Sequence, residues 1–189
     1  MPKSRFNERN LSHMLPNAIT FANMALGVIA IYISKDTSSN NIKIASILIL
    51  IAGAADKLDG YVARKLGATS QLGKELDSLC DLVSFGIAPM LLWWNMSINS
   101  SSLAVVLASL FYIGAGAYRL ARFNINGKNK YIEGLPITIA GIVMSGKCLY
   151  DVIYRLQFID NTVLNSENLI IAVLLSVLMV SNFKIKIPL

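Results

Sequence analysis

The sequence predicts an all-α membrane protein with six transmembrane helices, and three observations carry that prediction. Of its 189 residues, 54% are hydrophobic and only 15% are charged, with a mean hydropathy of +0.56. That is too apolar for a soluble domain with a polar shell. The chain divides into six apolar segments, 18–34, 42–66, 71–97, 101–123, 134–156 and 167–183, and about 20 helical residues suffice to cross roughly 30 Å of hydrocarbon. Basic residues fall mainly on alternate connections between those segments, as expected of a chain that crosses a bilayer repeatedly.

The elements follow in order. Residues 1–16 form a polar N-terminal segment in which Arg5, Phe6, Arg9, Leu11 and Met14 mix basic and apolar side chains, so a short interfacial helix is expected there. The first apolar segment lacks the charged-then-apolar order and cleavage site of a secretory signal, and is expected to be retained. Between the second and third segments, Leu66-Gly67 is a helix stop and Thr69-Ser70 an N-cap, giving a tight turn between antiparallel neighbours. Trp93 and Trp94 near the end of the third segment are expected to anchor at the membrane interface. Lys147 and Asp151 are four apart in the fifth and are expected to neutralise each other on an interior face. The longer polar connections, Lys35 to Asn41 and Asn124 to Glu133, are ordinary interhelical loops. With no internal repeat or low-complexity linker, residues 1–189 are expected to form one integral-membrane domain.

Lys3, Arg5, Arg9, Arg64, Lys65, Lys74, Arg119, Arg122, Lys128, Lys130, Lys184 and Lys186 flank one side, whereas only Lys35, Lys43 and Arg155 flank the other. The positive-inside bias then places both termini in the cytoplasm. The net charge of +6 does not indicate nucleic acid as a partner, because the basic groups are dispersed over short membrane-flanking loops. Anionic headgroups of membrane lipids suit them better. Cys80 and Cys148 lie within apolar segments without metal-ligand spacing and read as buried small hydrophobes.

Against this background Asp56, Asp59, Asp77 and Asp81 stand out. An ionised side chain near a bilayer centre costs about 2.5 to 3.5 kcal/mol on insertion scales, so four together mark a functional site. Asp56 and Asp59 are three apart and Asp77 and Asp81 four apart, so each pair lies on one helical face. Counting from the turn, Asp56 and Asp81 lie about 15 Å along their helices and Asp59 and Asp77 about 10 Å. Two facing acidic stripes at matched depth result. Adjacent carboxylates need countercharge, and an oxygen-only set without Cys or His suits Mg²⁺ or Mn²⁺. His13, the only histidine, falls in the N-terminal polar stretch. Gly60, Ala63 and Gly73 leave space for backbone or ligand to approach, and Arg64 offers a forked donor for phosphate.

Written as a pattern, residues 56–81 read DxxDGxxAR, eight residues, then GxxxDxxxD, with every defined position filled. This resembles the signature of the CDP-alcohol phosphotransferase family, whose fold has six transmembrane helices with the signature on the second and third. The run Leu76 to Pro89, with Leu15-Pro16-Asn17-Ala18-Ile19-Thr20, Arg119-Leu120-Ala121-Arg122-Phe123-Asn124 and Gly134-Leu135-Pro136, resembles its phosphatidylserine synthase branch.

The resemblance implies transfer of a phosphatidyl group from CDP-diacylglycerol to L-serine at the cytoplasmic face of the cell membrane, in a homodimer, with paired Mg²⁺ or Mn²⁺ ions as cofactors. Asp56, Asp59 and Asp77 would hold metal, and Asp81 would be the general base that also touches a metal. The CDP end would lie near Gly60, Ala63, Arg64 and Gly73, with Pro16, Asn17 and Thr20 at the entrance. Arg119 and Arg122, three apart, would bind the serine carboxylate or the donor phosphates; Ser84 and Asn124 would neighbour the amino-acid substrate. Glycerol phosphate or inositol as acceptor, or an ether-linked archaeal donor, would use the same chemistry. A cation transporter or channel is the alternative of another class, and the position of the acidic cluster toward one side argues against a continuous ion path. Intramembrane prenyl transfer also uses aspartates and Mg²⁺, but its motifs lack the Ala-Arg and the spaced glycine.

Overall fold

A computed structural model describes residues 3–65, 67, 70–97, 103–126, 131–155 and 159–186. The architecture is a helical bundle of α1 (Lys3–Ser34), α2 (Ser39–Lys65), α3 (Gln71–Met96), α4 (Leu103–Asn126), α5 (Ile137–Arg155) and α6 (Asn161–Val180). Strands β1 (Tyr131–Glu133) and β2 (Lys184–Lys186) add a small antiparallel ribbon. Among the described residues, five stretches are long and apolar enough to cross a membrane: Asn17–Ser34, Gln71–Met96, Leu103–Ile125, Ile137–Arg155 and Asn161–Val180. This is the pattern of a multi-pass membrane protein. Helix α2 is not among them, because Lys43 and the charged run from Asp56 to Lys65 dilute its hydropathy. The N-terminal segment is helical, but it is not a separate short helix: α1 runs unbroken from Lys3.

Each helix turns one stripe inward at alternating three- and four-residue steps, the spacing of helices packed at small crossing angles. On α2 the stripe is Ile42, Ala45, Ile49 and Ala52, all buried, and the next two steps are Asp56 and Asp59. On α1 it runs through Thr20, Asn23, Ala30 and Ser34, and on α4 through Val105, Ala108, Tyr112, Ala115 and Arg119. The signature carboxylates and Arg119 thus continue the core-facing stripes, away from lipid. Trp93 is fully buried, so it belongs to this core and is not an interface anchor. Cys80 and Cys148 are free and buried.

Helix α3 changes pitch just after Asp81. Residues Leu82–Ile87 are π-helical, with Ala88 N donating to Val83 O five residues back. Pro89 has no N–H for the carbonyl of Phe85 four residues earlier. Tyr112 supplies the missing donor from α4, its hydroxyl lying 3.2 Å from Phe85 O. The widened segment is gripped closely on both sides. A Cβ at Gly27 would lie 2.8 Å from Ser84 Cα, and one at Gly141 would lie 2.6 Å from Phe85 Cβ.

At the end of the bundle away from the signature aspartates, Lys147 Nζ pairs with Asp151 at 2.5 Å, as the spacing anticipated, and also lies 3.2 Å from Glu167 on α6. Arg155 pairs with Glu167 as well, closing a neutral quartet that ties α5 to α6. Helix α6 begins six residues before the apolar segment read from the sequence. Asp160 caps it by accepting from Thr162 N at 3.2 Å, and Glu167 is held within it by this quartet. A cavity of about 360 Å³ at this end is lined by Thr37, Ser39, Asn95, Ser97 and Asn161 among others, remote from the aspartates.

At the opposite end, Gly67 has a φ of +60°, the left-handed conformation of a helix stop. Ser70 caps α3 by accepting from Gly73 N at 2.9 Å. The ribbon pairs Tyr131 with Lys186 and Glu133 with Lys184, which joins the connection before α5 to the segment after α6. Gly134 follows with a φ of +71°, and a Cβ there would lie 2.5 Å from Met179 O and 2.9 Å from Arg122 Nη2. Gly134→Ala is therefore expected to destabilise the protein by about 1–2 kcal/mol from backbone strain alone, with a steric cost added. Its melting temperature in detergent measures this, and an unchanged value would refute the tight turn.

Candidate active site

The four signature aspartates converge where the C-terminal part of α2 faces the N-terminal part of α3. One carboxylate oxygen from each of Asp56, Asp59 and Asp77 lies within 4.8 Å of the others. Asp81 adjoins this triad, its carboxylate close to that of Asp56. The depths counted from the turn put Asp56 level with Asp81 and Asp59 level with Asp77, and the contacts agree.

Neighbouring helices orient these groups. From α1, Thr20 Oγ1 donates to Asp59 Oδ2 at 2.9 Å, and Asn23 Nδ2 donates to Asp81 Oδ1 at 3.4 Å. From α5, Thr138 Oγ1 donates to Asp56 Oδ2 at 3.2 Å. Neither Asn23 nor Thr138 emerges from the signature. Asn23 had a sequence signal, since it stands three residues after Thr20 in an otherwise apolar segment. Thr138 had only its place just after Gly134-Leu135-Pro136.

The arrangement fits a hard divalent cation. Among the described residues Asp77 Oδ1 is buried and has no hydrogen-bond partner, a costly state for a carboxylate oxygen unless a ligand completes it. The donor set is oxygen-only, and carboxylates this close require positive charge between them. Asp56, Asp59 and Asp77 would hold such an ion, with Asp81 at its edge.

The remaining sequence candidates separate. Thr20 meets the cluster through Asp59, and Asn17 lies against the start of α3, its Oδ1 3.4 Å from where a Cβ on Gly73 would stand. Gly60 lies on the same C-terminal stretch of α2. The side chains of His13, Pro16, Ala63 and Arg64 lie outside the described residues. Arg119 is 8% exposed and close enough to Asp81 and Asp56 for their charges to interact. Its guanidinium stands 5.3 Å over the Phe123 ring.

Arg122 turns elsewhere. Its Nη1 donates to Val180 O at 3.0 Å and Asn182 Oδ1 at 2.9 Å, and its Nη2 to Ser181 O at 3.0 Å. In this structure it caps the C-terminal end of α6, which carries unsatisfied carbonyls and negative dipole charge, and its donors are not directed at the aspartates. Ser84 donates to Asn23 O at 3.1 Å, so it pins α3 to α1 and does not bond its own helix. Asn124 donates to Glu75 Oε2 and Ser78 Oγ, both at 3.0 Å, along the seam between α3 and α4.

Comparison with known proteins agrees with this geometry. The family model described as CDP-alcohol phosphatidyltransferase matches residues 13–178. The chain is 38% identical over 166 residues to a CDP-diacylglycerol–serine O-phosphatidyltransferase of Methanocaldococcus jannaschii, covering 88% of this chain and 70% of that one. It is 36% identical over 181 residues to the protein of the same name from Helicobacter pylori, covering 93% and 73%. An archaetidylserine synthase of Methanothermobacter thermautotrophicus is 37% identical over 134 residues, covering 69% and 56%. With the acidic triad on facing helices and the family match spanning nearly the whole chain, this protein belongs to the CDP-alcohol phosphatidyltransferase family.

Proposed function

We propose that this chain transfers the phosphatidyl group of CDP-diacylglycerol to the hydroxyl of L-serine, giving phosphatidylserine and CMP. The observation that carries the reading is the triad of Asp56, Asp59 and Asp77 within 4.8 Å, with Asp81 against it. Asp81 accepts the proton of the serine hydroxyl, whose oxygen forms the new bond to the phosphorus bearing the diacylglycerol, while the bond from that phosphorus to CMP breaks. The three other aspartates hold Mg²⁺ or Mn²⁺, paired as the family resemblance implies. What such ions supply when bound is neutralisation of the pyrophosphate and of the leaving phosphate. By resemblance, the CDP end would be held near Gly60, Ala63, Arg64 and Gly73, with Pro16, Asn17 and Thr20 at the entrance of the first helix.

The same reading makes the chain one six-span domain in the cell membrane, with both termini and the site on the cytoplasmic side. Twelve flanking basic residues on that side against three on the other support it. Homodimerisation is part of the reading by resemblance. Exposed apolar side chains such as Leu107, Leu110 and Phe111 are available to lipid and to a second copy. The Methanothermobacter relative's name supports a second donor, with the same headgroup on an archaeal lipid.

The test is CMP release from purified protein given CDP-diacylglycerol, Mg²⁺ or Mn²⁺ and one alcohol at a time. Release with L-serine is expected. Release with glycerol phosphate or inositol instead would replace the acceptor and keep the chemistry, and no release with any alcohol would sink the enzyme reading.

A further inference from the structure

Asp81 is accompanied by two enclosed polar side chains with hydrogen-bonding groups that the protein leaves unused. Asn23 is 0% exposed, and while its Nδ2 donates to Asp81, its Oδ1 has no partner among the described residues. Donation to a carboxylate fixes the orientation of the amide, so the unused atom is the carbonyl oxygen, an acceptor. Ser84 occupies the backbone carbonyl of Asn23 and holds that turn of α1 in place. On the α4 side, Arg119 Nε is likewise buried without a partner among the described residues, and Phe123 backs its guanidinium. Enclosed and unsatisfied groups are uncommon and call for an explanation. Here an acceptor and a guanidinium adjoin the carboxylate that faces the reacting hydroxyl.

The molecule complementary to this set carries a cationic donor, a carboxylate and a hydroxyl. We propose that Asn23 and Arg119 form the headgroup site for a zwitterionic hydroxy-amino acid, Asn23 Oδ1 accepting from its ammonium and Arg119 donating to its carboxylate, with its hydroxyl at Asp81. This rests on the acceptor reading given above and adds the residues that select the acceptor. Inositol offers neither charge, glycerol phosphate no ammonium and ethanolamine no carboxylate. Each leaves at least one of the two enclosed groups unmatched, which is how a polar site rejects an analogue.

The experiment compares CMP release with L-serine, 3-hydroxypropanoate, which lacks the ammonium, and ethanolamine, in wild-type protein and in Asn23→Leu, Asn23→Asp and Arg119→Lys. A hydrogen bond to a charged group corresponds to about 10–100-fold. Asn23→Leu is expected to raise the serine KM by about that factor and to reduce the preference for serine over 3-hydroxypropanoate equally, leaving the CDP-diacylglycerol KM unchanged. Asn23→Asp keeps the acceptor but loses the donor to Asp81, so kcat should fall while that preference stays. Arg119→Lys should reduce the preference for serine over ethanolamine, because a point charge cannot reproduce the guanidinium fork.

If wild-type protein releases CMP with serine but neither Asn23 variant alters the serine to 3-hydroxypropanoate ratio, Asn23 merely positions Asp81 and the proposal is overturned. If wild-type protein releases no CMP with any acceptor, the transferase reading itself falls, and this proposal with it.

Discussion

Asp81→Asn is expected to lower serine-dependent CMP release by about 10²–10⁴-fold, the usual worth of a positioned general base, while CDP binding stays measurable. The argument is geometric. Asp81 is not one of the three carboxylates with oxygens within 4.8 Å, and its contacts are with Asp56 and with Asn23. Asparagine preserves shape and a hydrogen bond to the neighbours but cannot take a proton. Equilibrium binding of labelled CDP in the presence of Mn²⁺ separates the two roles. Loss of nucleotide binding in parallel with turnover would make Asp81 an ordinary metal ligand.

The other large effect concerns the triad. Stripping divalent ions with a chelator is expected to abolish CMP release, and adding Mg²⁺ or Mn²⁺ to restore it. Asp77→Asn should weaken Mn²⁺ binding, read by electron paramagnetic resonance, by more than the about 10–100-fold typical of losing a residue that only supports a ligand. The unpartnered Asp77 Oδ1 is the reason for choosing this position, since no hydrogen bond among the described residues explains why that oxygen is buried. By contrast Thr138→Val, which removes the donor to Asp56 Oδ2, should stay within the 10–100-fold range. An Asp77→Asn protein that binds Mn²⁺ like the wild type would rule out the triad as the metal centre.

Much of this site could be read from the chain because its geometry is local. Asp56 with Asp59 and Asp77 with Asp81 are fixed by helical periodicity, and the Gly67 stop and Ser70 cap set the two helices antiparallel at a known offset. Asn23 and Thr138 were not legible in the signature because their partners lie 58 and 82 residues away, and periodicity carries no information about which face of α1 or α5 meets α2 and α3. Arg119 and Arg122 show the same limit. Both fit substrate binding by residue type, and only the packing of α4 against α3 and α6 assigns them different neighbours. Hydropathy also misjudged boundaries wherever polar residues are helical. The N-terminal residues continue α1, and α6 starts at Asn161.

The two arginines of α4 have a consequence for motion. Three residues along a helix place side chains about 60° apart around the axis, so Arg119 and Arg122 act as two spokes on one shaft. One spoke points toward the aspartates and the other is fastened to the carbonyls of Met179, Val180 and Ser181. Rolling α4 to draw Arg119 away from Asp81 would tear Arg122 from that collar. The angular setting of α4 is thereby locked from the far side, and any adjustment of Arg119 to an incoming molecule is confined to its own side-chain torsions.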